Sequence, residues 1–198
     1  PPQALTTTAT VVAAERRRPG TYEVARLDTV DENGDPVATT FMGSLFLGVD
    51  LDGDPVPVDG AVPVAPTPPV SADARGVEVP NATQAAHVYT ECARIYNPIH
   101  TDAAVAEAAG LPGPILHGTA TLAMAVSAVI DAVAGGEPSS LRRLGCRFGA
   151  MVPMPDLIRV RIGEPVESDT GRSIGFEVDN GRGERAVSDG WVELETQP

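Results

Sequence analysis

The stretch ILHGTATLAMAVSAVIDAVA, residues 115–134, is apolar on almost every face of the helix that it predicts, and Gly135 and Gly136 end it. A helix of this kind has to be enclosed on most sides. Strand-like segments follow at residues 143–148, 157–162, 172–178 and 186–194, separated by Gly, Pro and Asp turns. One buried helix followed by antiparallel strands predicts an α+β fold in which a sheet curls around the helix.

The chain before this helix divides into a β-rich block and a proline-rich strip. Residues 20–31 and 37–49 have strand patterns, and Asn33-Gly34 between them supplies the positive φ angles of a tight hairpin turn. Residues 51–80 contain seven prolines, which forbid a helix and exclude a central strand. We therefore expect partial β structure at residues 1–50, an extended linker at 51–80 and a main domain at 81–198.

Composition excludes several classes of function. The net charge of −13 is unfavourable for binding nucleic acid or an anionic membrane. All 14 basic residues are Arg, so Schiff-base chemistry, pyridoxal-phosphate attachment and a phosphate-binding P-loop lysine are excluded. With three His, two Cys and no Gly-rich nucleotide fingerprint, neither a metal nor a redox cofactor is expected. The cysteine count and the short apolar runs predict a soluble, cytoplasmic protein.

Two histidines flank the start of the apolar helix. His100 lies in Asn97-Pro-Ile-His100, and His117 directly precedes Gly118, the first residue of the enclosed helix. The first N–H groups of a helix have no partner within it and can stabilise an oxyanion. A loop histidine titrates close to neutral pH and can move a proton. This combination suits chemistry at the carbons next to a thioester carbonyl.

The same residues carry a family resemblance. Six positions have the spacing of a known motif: Tyr89, Asn97, Pro98, Ile99, His100 and Ala106. This spacing and the Gly113-Pro-Ile-Leu-His-Gly118 entry to the helix resemble the MaoC-like hydratases and dehydratases of the hot-dog fold, of the (R)-specific enoyl thioester hydratase type. The resemblance covers about residues 83–194.

The resemblance implies a fold and a set of roles. It implies an antiparallel sheet wrapped around a long central helix, with residues 8–49 as the last strands of a partial N-terminal hot-dog copy. Either a natural half-copy or a chain that has lost its start would account for the missing helix of that copy. His100 would be the general acid or base, and the Gly118 N–H would polarise the thioester carbonyl. No cofactor is implied beyond coenzyme A or phosphopantetheine as the carrier of the substrate.

The sequence departs from the family pattern at one catalytic position. The family's Gly-Asp pair falls on Arg94 and Ile95, and Ile95 can neither ionise nor hold a water. Loss of one positioned acid or base costs about 10²–10⁴ in rate. Spacing does not select among the possible replacements, and Arg94 can instead bind an anionic group or the carrier phosphates. The possible replacements are Asp102, Glu91, Tyr96 and Tyr89.

Further residues around this motif are candidates for binding substrate. For two of them a structural role is the alternative, since Asn97 can fix the turn and His117 can flank the helix start. The substrate-binding candidates are Asn97, Tyr96, Arg94, Ile95, His117 and Thr119.

Three functions are consistent with these residues. The first is an enzyme that adds or removes water across the α,β bond of an enoyl or 3-hydroxyacyl thioester, carried by coenzyme A or an acyl carrier protein. The second uses the same pocket for conjugate addition of another nucleophile, isomerisation, cyclisation or thioester hydrolysis. The third is a non-catalytic binding or partner subunit. An incomplete first block leaves sheet edges for a second subunit, so a homodimer is expected.

Overall fold

The computed structural model describes residues 4–63, 68–168 and 171–195, which form two compact units, residues 1–64 and 65–198. The first unit contains the strands β1 (Thr6–Arg17), β2 (Gly20–Val30) and β3 (Pro36–Leu47). The helices of the second are α1 (Ala85–Ala93), α2 (Ala103–Ala108) and α3 (Gly118–Val133), with 3₁₀ turns at Pro98–His100 and Pro138–Ser140. Its strands are β4 (Arg75–Asn81), β5 (Leu141–Phe148), β6 (Asp156–Ile162), β7 (Val166–Ser168), β8 (Gly171–Asp179) and β9 (Arg185–Leu194).

The first unit is an antiparallel meander in the order β1-β2-β3, in which β2 and β3 correspond to the strand patterns at residues 20–31 and 37–49. The β2–β3 turn differs in detail from the prediction: Gly34 has φ of +86°, whereas Asn33 does not have a positive φ. The turn is closed instead by Asp31, whose Oδ1 accepts the backbone N–H groups of Asn33 and Asp35, both at 2.9 Å. These bonds lower the pKa of the Asp31 carboxyl, the largest contribution coming from the Asp35 N–H.

Much of the apolar surface of the first unit is exposed. Ala13 and Val24 are its buried hydrophobic residues among those described. Large apolar side chains of β1 and β3 and of the segment after β3 remain exposed, and a small sheet with this much uncovered apolar surface is marginal by itself. These exposed residues include Val11, Val37, Met42, Leu45, Phe46 and Leu47.

The second unit confirms the predicted α+β architecture. Its antiparallel sheet has the order β4-β6-β8-β9-β5, with β7 paired to β8. Helix α3 packs across β6, β8 and β9, so the core forms between its buried face and the inward side chains of these strands. The core includes Val126, Val129 and Ile130 of the helix and Ile158, Val160, Ile174, Phe176, Val178, Val187 and Val192 of the sheet. All four strands predicted after the helix are present as β5, β6, β8 and β9.

Helix α3 is less enclosed than its composition suggests. Residues Thr119, Ala123, Ser127 and Asp131 recur every four positions and form one exposed stripe along the helix. Part of this stripe lines a groove of about 470 Å³ shared with strand β4. The sequence does not indicate this exposed face, because three of its four residues are small and uncharged.

The proline-rich strip ends earlier than predicted. Residues 75–80, placed in the linker by their proline content, form most of β4, which pairs with β6 along its full length. Pro80 is tolerated because β4 is an edge strand of the sheet, where one side of the strand needs no ladder hydrogen bonds.

A network of four charged side chains crosses the outer face of the main sheet. Arg161 on β6 lies opposite Glu177 on β8, and Asp179 on β8 lies opposite Arg185 on β9. The Arg161 Nη2 is 2.5 Å from Glu177 Oε2, and Arg185 Nε donates to Asp179 Oδ1 at 2.7 Å. Arg161 also pairs with Asp179, and Arg185 with Glu177. The four side chains are 18–35% exposed, so water screens them only in part.

We expect Asp179→Asn to destabilise the second unit by about 1–2 kcal/mol, because it removes charge from a partly buried network. Glu78→Gln is the matched control, since Glu78 forms a single pair with Arg159 and both side chains are more than half exposed. That variant should change the unfolding free energy by less than about 0.5 kcal/mol. Urea unfolding, followed by the fluorescence of Trp191, measures both, and equal effects would contradict the prediction.

Candidate active site

The loop that carries His100 is held by two side-chain caps. Pro98–His100 forms a 3₁₀ turn, and Asn97 Oδ1 accepts the backbone N–H of Ile99 at 3.4 Å. Asp102 begins α2, where its Oδ1 accepts the N–H groups of Ala104 and Val105 at 2.8 and 3.1 Å. These contacts are those of helix N-caps. Asn97 therefore fixes the turn, and the Asp102 carboxylate is engaged at the start of α2.

A main-chain carbonyl fixes the protonation pattern of His100. Its Nδ1 lies 2.8 Å from the carbonyl oxygen of Ile115, in the segment that leads into α3. Because a carbonyl oxygen only accepts hydrogen bonds, Nδ1 carries the hydrogen. The neutral ring of the half-buried His100 then has its lone pair on Nε2. The neutral ring is therefore in the tautomer that a general base requires.

The segment before α3 is itself anchored to the chain between β5 and β6. Ile115 forms a bridge with Pro153, and the Leu116 N–H donates to the Val152 carbonyl at 2.8 Å. Both Ile115 and Leu116 are buried. The carbonyl that orients His100 is therefore part of a packed, hydrogen-bonded segment.

The amino end of α3 provides N–H donors immediately after this segment. The first bond of the helix runs from the Thr121 N–H to the His117 carbonyl, so the N–H groups of Gly118 and Thr119 have no acceptor within the helix. Both residues are exposed. A Cβ on Gly118 would lie 3.1 Å from the ring of Phe148, so the aromatic ring closely approaches this helix end. The arrangement can stabilise negative charge on an oxygen next to an apolar wall.

His117 lies underneath His100 rather than in the open part of the site. It is 2% exposed, and its ring stacks on that of His100 with centroids 3.7 Å apart and planes 23° apart. Its Nε2 is 3.2 Å from Thr90 Oγ1 and 3.4 Å from the Ile95 carbonyl oxygen, and the ring of Tyr89 is 5.0 Å away. Burial, and then the charge of His100, lower the pKa of His117.

The segment Arg94-Ile95-Tyr96 has exposed side chains. Arg94 ends α1 with φ of 56°, a left-handed conformation in which glycine is favoured. The side chain of Ile95 is 40% exposed and that of Tyr96 is 65% exposed. Ile95 nevertheless contributes to the site through its main chain, because its carbonyl contacts His117.

A cavity of about 440 Å³ opens between α1 and the His100 loop, and its lining includes neither His100 nor His117. Thr90 connects the cavity to the histidine pair, since it lines the cavity and also contacts His117. Of the four replacements considered for the missing carboxylate, Glu91 and Tyr96 line this cavity, Tyr89 packs on His117 and Asp102 caps α2. The complete lining is His87, Thr90, Glu91, Tyr96, Pro98 and Thr101.

The structure thus brings together His100, His117, Gly118 and the main chain of Ile95, while the side chains of Arg94 and Tyr96 lie at the surface. Sequence reasoning missed the carbonyl of Ile115 and the ring of Phe148. It also missed Thr90, although its position on the helix one turn before Arg94 could have indicated it. In the described parts of the chain, no cluster of three or more His, Cys, Asp or Glu side chains could hold a metal ion. Among the described residues no helix is long and apolar enough to cross a membrane.

Comparison with known proteins identifies relatives of this chain and of its fold. The MaoC like domain family matches residues 70–184, more than half of the chain. Enoyl-CoA hydratase 2, peroxisomal, from Arabidopsis thaliana is 45% identical over 53 residues, which are 27% of this chain and 17% of that protein. Peroxisomal multifunctional enzyme type 2 from Drosophila melanogaster is 27% identical over 178 residues, 89% of this chain and 29% of the relative. The chain therefore spans less than a third of the length of these curated relatives.

Solved structures of other proteins have a similar fold. Full-length peroxisomal multifunctional enzyme type 2 from Drosophila melanogaster superposes with a TM-score of 0.82 at 26% identity, covering 96% of this chain and 34% of that one. A MaoC-like dehydratase from Phytophthora capsici also gives 0.82, at 22% identity, covering 98% and 66%. The latter similarity concerns the fold alone. Both confirm the predicted hot-dog fold. The match over residues 70–184 establishes that this chain belongs to the MaoC-like dehydratase domain family.

Proposed function

We propose that this protein is a hydratase or dehydratase that acts at the α,β carbons of an enoyl or 3-hydroxyacyl thioester. The observation that carries the proposal is the pairing of His100, whose Nε2 is left free to accept a proton, with the uncapped N–H groups at the start of α3. Relatives named as enoyl-CoA hydratases support the same chemistry.

In the hydration direction, His100 Nε2 accepts a proton from water as the water oxygen bonds to the β carbon. The electron pair of the double bond moves towards the thioester oxygen, which the Gly118 and Thr119 N–H groups stabilise. The proton held by His100 is then available for the α carbon, so the product has gained one water. Dehydration is the reverse sequence of steps.

Coenzyme A is the carrier that we propose, with the phosphopantetheine of an acyl carrier protein as the alternative. The exposed guanidinium of Arg94 stands at the edge of the site and suits an anionic carrier group. The reaction needs no cofactor of its own. A homodimer fits the exposed apolar side chains of the first unit. The cytoplasmic location expected from the sequence stays a prediction, since two relatives are named as peroxisomal.

The first test is a turnover assay with crotonyl-CoA and longer enoyl-CoA thioesters. We expect the enoyl absorbance to fall as the 3-hydroxy product forms, and His100→Ala to lower the rate by about 10²–10⁴. His100→Asn is the matched variant, because its side-chain amide can still donate to the Ile115 carbonyl but cannot act as a base. A rate for His100→Asn close to that of His100→Ala would assign the loss to proton transfer rather than to loop position.

Two outcomes of this assay contradict the proposal. One is hydration by the wild-type protein that survives in both His100 variants. The other is thioester binding without hydration, weakened by His100→Ala, which would favour addition of a different nucleophile or another reaction in the same pocket. A protein that binds no thioester would favour the non-catalytic partner role.

The position that the family resemblance assigns to a carboxylate can be tested by restoring it. Ile95 is 40% exposed, so Ile95→Asp adds a charge without a large desolvation cost. Because a second positioned acid or base contributes about 10²–10⁴, we expect Ile95→Asp to raise kcat for hydration by at least about tenfold. The control is Ile95→Asn, which adds polarity without a titratable group. An equal change in kcat for both variants would contradict this prediction.

A further inference from the structure

The contact between His100 and His117 is closer than most pairs of aromatic side chains. The ring centroids are 3.7 Å apart and the planes 23° apart, so the rings lie face to face. Two protonated imidazoles at this distance would repel each other strongly. The pair of neutral rings therefore takes up at most one additional proton, and the surroundings of each ring decide which ring becomes the imidazolium.

The hydrogen bonds of His117 favour its neutral form. Its Nε2 lies near two oxygens, Thr90 Oγ1 and the Ile95 carbonyl, and the carbonyl can only accept. Nε2 therefore carries the hydrogen, and the lone pair is on Nδ1. This Nδ1 is buried and has no hydrogen-bond partner. Protonation would create a buried N–H without an acceptor, which is costly.

Among the residues that the structure describes, no charge of opposite sign compensates a proton on His117. The ring is enclosed by Tyr89 and Thr90 of α1, by the main chain of Ile95 and by His100 of the 3₁₀ turn. The titratable groups among these are Tyr89 and His100. None of the described carboxylates forms a hydrogen bond or ion pair with the ring. Burial first, and His100 second, hold the pKa of His117 below its usual range.

His100 differs from its neighbour on every one of these points. It is only half buried, its Nδ1–H already has the Ile115 carbonyl as acceptor, and its Nε2 is engaged by none of the described side chains. Protonation of His100 at Nε2 therefore does not create a buried N–H without an acceptor, whereas protonation of His117 at Nδ1 would.

We propose that His117 is a positioning residue: it fixes the plane of the His100 ring by stacking and, because it stays neutral, confines the shared proton to His100. The inference rests on the proposed function for its catalytic consequence, but the tautomers and the proton location stand independently of it. His117 does not itself touch the substrate, which differs from the binding role that the sequence suggested for it.

Stability should depend on pH through the same residue. Since the folded-state pKa of His117 lies below the usual 6.5, the unfolded chain binds more protons as pH falls. The contribution of neutral His117 is thus fully present above about pH 6.5 and is lost as pH drops towards its folded pKa. We expect the unfolding free energy to decrease between about pH 7 and 5 in the wild-type protein. The decrease should be smaller in His117→Asn, and an identical slope in both proteins would contradict this prediction.

The direct test is an NMR titration of the imidazole nitrogens in the full chain, which has three histidines. We expect His100 to show the Nδ1–H tautomer at high pH and to protonate at Nε2, while His117 keeps the Nε2–H tautomer and stays neutral throughout that step. Protonation of His117 before His100, or an Nε2–H tautomer of His100, would overturn the proposal. This experiment needs no variant and no turnover, so its outcome is separate from that of the hydration assay.

Two variants at residue 117 link the stack to function. His117→Asn removes the ring but places a favoured N-cap residue at the start of α3, so the helix should be retained. We expect it to lower kcat about 10–100-fold, with little change in KM, and to shift the acidic limb of the pH profile. His117→Phe keeps a ring that cannot ionise, and it should recover most of kcat and restore the wild-type limb. An unchanged kcat and pH profile in His117→Asn would overturn the positioning role.

Discussion

The burial of α3 against the curled sheet is the constraint on which the rest of this structure depends. The helix packs its Val and Ile side chains on β6, β8 and β9, and burial of each such side chain stabilises the fold by about 1.5–3 kcal/mol. Once that face is fixed, so are the position and direction of the amino end of the helix. The N–H groups that begin at Gly118 therefore point where the core places them, and no separate device is needed to orient them.

The segment just before α3 turns this structural constraint into a site. The carbonyl of Ile115 orients His100, the ring of His117 stacks against it, and Gly118 begins the row of unpaired N–H groups. These three roles come from four consecutive residues, 115–118, of which the first three are buried. Such precise placement is easier on a rigid element than on a loop. The His100 turn has only to reach this segment, and the caps by Asn97 and Asp102 hold it there.

The fold was largely predictable because its signals are local. Strand patterns at residues 143–148, 157–162, 172–178 and 186–194 correspond to β5, β6, β8 and β9, and the Gly-Gly pair ends α3 as expected. The end of the proline-rich strip was predicted too late in the sequence, because residues up to Pro80 belong to β4. Pro80 is compatible with β4 because β4 pairs with β6 on one side and lies at the edge of the sheet. The exposed stripe of α3 was hidden because small residues such as Ala123 and Ser127 occur equally well on buried and exposed faces.

For the site too, local sequence signals predicted one part and distant contacts decided the rest. The sequence by itself determined the chemical groups: two histidines, a helix start at Gly118, and an isoleucine at the position where the family resemblance implies a carboxylate. Only the tertiary structure decided how they are used. The tautomer of His100 depends on a carbonyl 15 residues away, and His117 is held by Thr90 and by the main chain of Ile95. Main-chain acceptors and ring stacking leave no mark in residue identity, because every residue has a carbonyl and contact between rings requires the folded chain.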